Sequence, residues 1–396
     1  MNHENGEEEQ LATLDTTFCG VKLTSPVVVG SANITGNFEN IKRCQDNGAG
    51  AIVMKSLFEK EVCREAPTPR FAIIRRGSGE KRSFILYSYE QASVWGPDRY
   101  AREVERCRNE LSIPVIASIN CYTPEGWASY AKRMEAAGAS VLELNVSCPH
   151  GSVTFSGVKV EETIFDVARI VRSEVKIPIV VKLSAQLTAP LNVVHELEQL
   201  GCNGVTLFNR FTGLEIDIER EIPIMHGSYA GHGGPWAIHL GLRWISAIRP
   251  HVALDISASG GVDSPEDVIK YLLVGANTVQ TCTSVIMNGY EVVREFNEGL
   301  LKFMEGKGYR TIDEFRGKIN ARILSTEEVD RRHLYRARIN KSRCNNCGRC
   351  KSVCTYSAIE EGIETHEIND RCDGCGLCKE ICPRGAVDLI SLATSL

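Results

Sequence analysis

No run of the sequence approaches the roughly 20 apolar residues that a membrane-crossing helix needs; the longest apolar stretches, such as Ile177 to Val181, are far shorter. A basic surplus is missing as well. Lys and Arg number 45 against 50 Asp and Glu, a formal charge of -5, and no basic stripe offers a nucleic-acid backbone its counter-charge. The first ten residues, MNHENGEEEQ, are acidic and polar where a secretory leader would place positive charge and then an apolar core. The expectation is a cytoplasmic protein without membrane insertion and without a nucleic-acid partner. Also absent is a Gly-x-Gly-x-x-Gly following a strand: Gly77-Ser78-Gly79 lies in a charged loop and has no third glycine. The chain therefore carries no nicotinamide- or FAD-binding domain that its sequence announces.

What is present, through residues 25 to 300, is a repeated unit: a β-branched apolar strand, an amphipathic helix and a glycine break. The breaks resemble one another, reading NGAGAIVM at 47–54, AGASVLEL at 137–144, LGCNGVTLF at 200–208 and VGANTVQT at 274–281. Strands are expected at Val27 to Ser31, Ala51 to Ser56, Ile113 to Ile119, Ser140 to Val146, Ile177 to Leu183, Gly204 to Asn209, Ala253 to Ser259 and Thr278 to Thr283. Helices such as Pro124 to Ala137 and Ser264 to Leu273 alternate with them. Apolar strands separated by helices make a parallel sheet buried on both faces. An open doubly wound sheet would satisfy the same pattern, but a count of eight favours a closed (β/α)8 TIM barrel.

Half of the 16 cysteines crowd between 344 and 382. They read Cys344-x2-Cys347-x2-Cys350-x3-Cys354 and again Cys372-x2-Cys375-x2-Cys378-x3-Cys382-Pro383. Thiolates at this spacing bind iron-sulfur cubanes, and in two-cluster ferredoxins the fourth cysteine of each run ligates the other cluster. One [4Fe-4S] cluster would take Cys344, Cys347, Cys350 and Cys382, the second Cys372, Cys375, Cys378 and Cys354. A pair of tetrahedral zinc sites is the competing reading of Cys-x2-Cys. The expected organisation is thus an acidic, disordered 1–14, a barrel over 15–304, a linker and barrel-closing segment over 305–340, and a ferredoxin-like domain over 341–396.

Barrel enzymes gather their working residues at the C-terminal ends of the strands, and here those ends are polar. They carry Ser31, Lys55 with Ser56, Ser118 with Asn120, Asn145 with Ser147 and Cys148, Lys182 with Ser184, Asn209, Ser259-Gly260-Gly261 and Thr283-Ser284. The last two groups sit where barrels bind phosphate, in the loops after strands seven and eight, and Gly260 and Gly261 let backbone N–H groups approach an anion. Each lysine ends an apolar strand, so it either meets a bound anion or reaches solvent at the rim.

The segment Leu144-Asn145-Val146-Ser147-Cys148-Pro149-His150 resembles the active-site loop of the dihydroorotate and dihydropyrimidine dehydrogenase flavoproteins, and His150 is similar to the dihydropyrimidine branch. The likeness runs from about Phe18 to the C-terminus, through Cys19-Gly20-Val21-Lys22, Met54-Lys55-Ser56, Val181-Lys182-Leu183-Ser184, Asn209 and Gly260-Gly261-Val262-Asp263. It implies FMN at the barrel mouth, held by Ser31, Lys55, Ser56, Asn120, Lys182, Ser259, Gly260, Gly261, Thr283 and Ser284. It further implies hydride transfer to or from a small cyclic substrate, with Cys148 moving a proton at the neighbouring carbon. A buried structural cysteine is the plainer reading of Cys148. Lys182 would stand at the flavin edge that gains negative charge, and Asn145 and Asn209 would meet the substrate's amide edges. Relatives draw electrons from an FAD- and NAD(P)H-binding subunit or a ferredoxin, and a homodimer or hetero-oligomer is implied.

Several positions depart from the pyrimidine pattern. Arg210 follows Asn209 where relatives have a small hydroxyl residue, Ala185-Gln186 follow Ser184, and Leu86 or Tyr87, in the loop before the third strand, stands where an asparagine is expected. Arg210 suits a substrate carboxylate, whose two oxygens match its fork, and equally a surface charge. An acidic ring such as orotate, another cyclic enone and a non-catalytic electron-transfer subunit are the competing functions.

Overall fold

The computed structural model describes residues 11–59, 69–76, 83–89, 95–146, 155–224, 229–331 and 334–392. It divides into two compact units, Met1–Ala321 and Arg322–Leu396.

Eight parallel strands form the first unit: β1 (Val27–Val29), β2 (Ala51–Val53), β3 (Val115–Asn120), β4 (Val141–Leu144), β5 (Ile179–Leu183), β6 (Gly204–Leu207), β7 (Asp255–Ser259) and β8 (Thr278–Thr281). Each pairs with the next, and Val279 of β8 opposite Val27 of β1 closes the ring. All eight strand expectations correspond to barrel strands. The helices are α1 (Phe38–Asp46), α2 (Pro97–Glu110), α3 (Pro124–Ala136), α4 (Gly157–Glu174), α5 (Pro190–Gln199), α6 (Ile238–Ile248), α7 (Pro265–Leu273), α8 (Thr283–Asn288) and α9 (Val292–Lys307). Sequence explains their starts. Pro occupies the first turn of α2, α3, α5 and α7, where its missing N–H costs nothing, while Asn37, Thr123 and Ser156 cap α1, α3 and α4 through their side chains.

Successive strand residues point alternately to the helices and into the barrel. Val27, Ile52, Leu142, Val181, Val205 and Ile256 join the large core between sheet and helices. The inward residues form layers of changing polarity. At the N-terminal end Val28, Ala51, Val53, Ile116, Val141 and Val180 pack on Phe18, Cys19 and Leu23. These three come from a hairpin, Thr16–Phe18 with Val21–Leu23, whose turn holds Cys19 and Gly20 at φ 51 and 78° and so plugs that end. One layer up the inward residues are Ser118, Glu143, Lys182, Thr206 and Gln280, all buried.

Three expectations change. Residues 1–10 lie outside the described part, but the Thr13 N–H donates to the Arg310 carbonyl at 2.9 Å and Leu14 is buried, so the end of the 1–14 segment is ordered. Ser83–Ser88 is a strand rather than loop, joining Phe71–Arg76, Ala230–Gly233 and Phe211–Gly213 in an antiparallel sheet. The expected linker 305–340 is shared between the units. Ile312 and Phe315 bury against the barrel, whereas Leu334–Ile339 is a strand of the second unit pairing with Val387–Leu392. Its charged alternation, LYRARI, fits a strand with one wet face, which hides it from a search for apolar runs. Among the described residues no helix is long and apolar enough to cross a membrane.

Among its described residues the second unit has a small core cluster of Ala337, Ile359, Cys378 and Val387 with flanking residues. Two one-turn helices, Arg349–Ser352 and Leu377–Glu380, each follow a left-handed glycine, Gly348 and Gly376. So little apolar burial seldom holds a fold, and small domains of this kind use metal to do so.

Gly50 shows how tightly the barrel is assembled. A Cβ there would lie 1.9 Å from the Ser25 carbonyl oxygen, a rigid backbone atom. Gly50→Ala should therefore lower stability by about 1–3 kcal/mol through overpacking, read as a drop in the denaturation midpoint; an unchanged midpoint would contradict this close approach.

Candidate active site

The strand C-termini open into a cleft of about 930 Å³, mouth included. Of the residues singled out from sequence, Ser31, Lys182, Asn209, Arg210, Ser259, Gly260, Gly261 and Thr283 line it. Ser56, Asn120 and Asn145 are buried and not part of this lining, and hydrogen bonds tie them to Ser31 and Asn209, which are. Lys55 is not part of this lining; its ammonium sits 5.6 Å from the Phe58 ring centre. Ser284 is fully buried, and its hydroxyl bonds Asp263 and the Asn288 amide rather than facing the cleft. Cys148, with Ser147, Pro149 and His150, lies outside the described residues.

The buried layer below the cleft is wired in one direction. Ser118 Oγ donates to Glu143 Oε1 at 3.1 Å, so the 2.8 Å contact between Ser56 and Ser118 is donated by Ser56. Ser56 in turn meets Ser31 Oγ at 3.0 Å, and its own N–H donates to Ser31 Oγ at 2.9 Å. Three hydroxyls thus point their protons toward one carboxylate. Ser31 is left presenting an acceptor to the cleft. Asn145 Nδ2 donates to Ser56 Oγ at 3.1 Å, Asn209 Nδ2 to Asn145 Oδ1 at 3.1 Å, and Asn120 Nδ2 to the Asn145 carbonyl at 2.6 Å. Both amide side chains at the cleft therefore have fixed orientations.

Glu143, which sequence reasoning passed over, is the hub. It is 1 % exposed, and its other oxygen accepts from Thr206 Oγ1 at 3.1 Å and Gln280 Nε2 at 3.4 Å. Lys182, 5 % exposed, places its ammonium 3.9 Å from Glu143 Oε1 and 3.5 Å from Gln280 Oε1. A lone charged residue in the apolar run Val141–Leu144 was the available signal.

In the loop after β7, Gly260 and Gly261 take φ 111 and 76°. A Cβ on Gly261 would come within 2.2 Å of the Ile238 backbone nitrogen, so the N-terminus of α6 presses on this loop. Tyr271 anchors it by donating to the Gly260 carbonyl at 2.7 Å. Thr281 Oγ1 is buried here without a hydrogen-bond partner among the described residues. A positive helix end, exposed loop amides and an unpartnered hydroxyl suit an anion. The added sheet supplies an aromatic cluster beside the cleft, of which His232 and Phe211 belong to the lining. His232 stacks with Tyr87 at 5.2 Å and Trp236 at 5.5 Å, with Phe211 beside both His232 and Trp236. Burial first, and then the nearby Arg210 charge, push the His232 imidazole below its ordinary value, which keeps it neutral at pH 7. This cluster was hidden because its strands are short and interrupted by glycine.

In the second unit the eight cysteines fall into two sets. Cys344, Cys347, Cys350 and Cys382 line one cavity of about 340 Å³; Cys354, Cys372, Cys375 and Cys378 line another of about 370 Å³. Four cysteines around a cavity of this size suit a cubane better than one tetrahedral zinc, whose sulfurs would stand about 2.3 Å from a single point.

A family model described as dihydroorotate dehydrogenase matches residues 13–304. The chain belongs to the dihydroorotate dehydrogenase family. A 4Fe-4S dicluster domain matches residues 336–383, in place of the zinc alternative. This family member is thus an oxidoreductase of the CH–CH type with a flavin-dependent barrel and an iron-sulfur module. PreA, a subunit of the NAD-dependent dihydropyrimidine dehydrogenase of Escherichia coli (strain K12), is 29% identical over 370 residues, covering 89% of this chain and 88% of its own. The catalytic subunit of the dihydroorotate dehydrogenase B (NAD(+)) of Thermoplasma volcanium is 28% identical over 78% of this chain and 98% of its own. The chloroplastic dihydropyrimidine dehydrogenase (NADP(+)) of Arabidopsis thaliana is 29% identical over 77% of this chain and 76% of its own.

Two outcomes follow from this dehydrogenase's geometry. Glu143→Ala leaves the Lys182 ammonium buried without its counter-charge and should cost about 3–5 kcal/mol; Glu143→Gln removes the same charge but keeps an acceptor for the Ser118 hydroxyl, and should cost somewhat less, both measured by chemical denaturation. Arg210→Ala should raise the His232 titration midpoint toward the ordinary imidazole value in an NMR titration. No movement would mean that burial alone sets it.

Proposed function

We propose that the chain is the catalytic subunit of a dihydropyrimidine dehydrogenase-type enzyme, interconverting uracil or thymine with the 5,6-dihydro form, with FMN in the barrel and two [4Fe-4S] clusters in the C-terminal unit. The observation that carries this reading is the joining of the family's barrel to a dicluster module in one chain, together with an alignment that spans 89% of this chain and 88% of the E. coli subunit.

FMN fits the cleft by its parts. Gly260, Gly261, Ser259 and Thr283 would take the phosphate, and Ser31 and Lys182 the ring, with Lys55 and Ser56 behind it. When bound, FMN supplies the hydride donor or acceptor. Lys182 offers a fixed, desolvated positive charge to the ring edge where negative charge develops on reduction. Asn145 and Asn209, locked by the hydroxyl network and by Asn120, present amide groups to the substrate's two imide edges. Cys148 holds the proton for the neighbouring carbon, since a thiol near pKa 8.5 is protonated at neutral pH and can take its proton back. The two electrons come from a partner, an FAD- and NAD(P)H-binding subunit or a ferredoxin, in a cytoplasmic homodimer or hetero-oligomer. No cysteine among the described residues forms a disulfide, in keeping with a reducing compartment.

The test is anaerobic purification, identification of the released flavin, and stopped-flow reoxidation of the reduced enzyme by uracil, thymine, orotate and carbocyclic enones. Uracil or thymine should reoxidise it, and Cys148→Ala should slow that step by about 10²–10⁴. Reoxidation by orotate alone, lost in Arg210→Ala, would overturn the substrate and keep the chemistry.

A further inference from the structure

The iron-sulfur unit is an internal repeat, and its halves are not equivalent. Before each cysteine run the chain reads similarly, Ala337-Arg338-Ile339-Asn340 and His366-Glu367-Ile368-Asn369. In both, the asparagine carbonyl accepts from the N–H of the first cysteine, Cys344 at 3.1 Å and Cys372 at 3.2 Å. The fourth cysteines match as well, with Ala358 donating to Cys354 Sγ at 3.3 Å and Ala386 to Cys382 Sγ at 3.2 Å. By this register each segment reaches both cavities, its first residue lining the one opposite its own cysteine run and its third residue lining its own. Ala337 and Ile368 line the one holding Cys372, Cys375, Cys378 and Cys354; Ile339 and His366 line the one holding Cys344, Cys347, Cys350 and Cys382. Where the second cavity has a methyl group, the first has an imidazole.

That imidazole is 6 % exposed, and its Nδ1 is buried with no hydrogen-bond partner among the described residues. A buried polar nitrogen left unpaired costs about 1–3 kcal/mol, so a partner of stated chemistry is required, and the cavity it lines is ringed by thiolates. A second difference acts in the same sense. The residue after the first cysteine is Asn345 in the first cavity and Asp373 in the second.

We propose that His366 donates a ring N–H to a sulfur of the [4Fe-4S] cluster held by Cys344, Cys347, Cys350 and Cys382, making it the more easily reduced of the two clusters. The inference rests on the two-cluster reading above. A neutral ring suffices. An added electron increases the negative charge on the cluster sulfurs, so a donor aimed at them favours the reduced form, the more so away from water. Asp373, an acid beside the other cluster, opposes its reduction. His366 is thus a positioning and tuning residue, and the electron rests preferentially on the first cluster.

The test is a potentiometric titration of the anaerobic holoprotein followed by EPR, with iron and sulfide counted in every variant. His366→Leu should lower the higher midpoint by about tenfold in the reduction equilibrium, the size expected for a hydrogen bond to a charged group, or ~59 mV for one electron. The lower midpoint should hold. His366→Gln, which keeps a donor, should restore most of the shift, and Ala337→His should raise the lower midpoint. Unchanged midpoints in His366→Leu, or equal shifts of both, would overturn the proposal, and Ala337→His remains decisive if His366→Leu fails to assemble. An iron and sulfide count matching one cluster in the wild type would instead remove the two-cluster reading on which it stands.

Discussion

A carboxylate taken out of water is stable only where several donors and a counter-charge replace its hydration, and the interior of this barrel is arranged to supply them at Glu143. Ser118, Thr206 and Gln280 donate to it, and Lys182 stands 3.9 Å away. Because β3, β4, β5, β6 and β8 each contribute one member, the charge pair ties together the strands whose ends build the cleft. The pair also holds an ammonium at the floor of a site where it would otherwise be too costly to bury. Orientation passes upward from this layer through Ser56 to Ser31 and Asn145, and from Asn145 to Asn209. The cleft's polar geometry is a surface expression of one buried anion.

The sequence-level reading succeeded where physics is periodic. Strands buried on both faces must be apolar and of nearly fixed length, and the glycine after each helix must allow a turn, so Ala51–Val53 or Gly204–Leu207 are visible in one dimension. Cysteine spacing is equally legible, because the first three cysteines of each run gather locally around one cavity. The reading failed where a residue's meaning depends on distant partners. Glu143 is one acidic residue among 50 Asp and Glu until Thr206 and Gln280 are brought beside it. His232 becomes part of a cluster only when Ser83–Ser88 and Ala230–Gly233 pair. Ser284 was placed at the cleft by its neighbour Thr283, but on a helix adjacent residues face different directions.

The two units solve the problem of stability differently. The barrel buries a continuous apolar shell between sheet and helices and can accommodate a polar interior. The C-terminal unit buries four core residues and their flanks, and its turns rely on left-handed glycines such as Gly374, where a Cβ would strike the Tyr335 carbonyl at 2.1 Å. With so small a core, the order of this unit depends on what its cysteines bind.

The N-terminal hairpin has a bearing on traffic. Phe18, Cys19 and Leu23 stopper the barrel at the end opposite the cleft, and buried side chains fill the axis above them, so among the described residues no path crosses the barrel to the cleft. Whatever reaches the site arrives from the side of the strands' C-terminal ends, which leaves the opposite end free to serve stability alone.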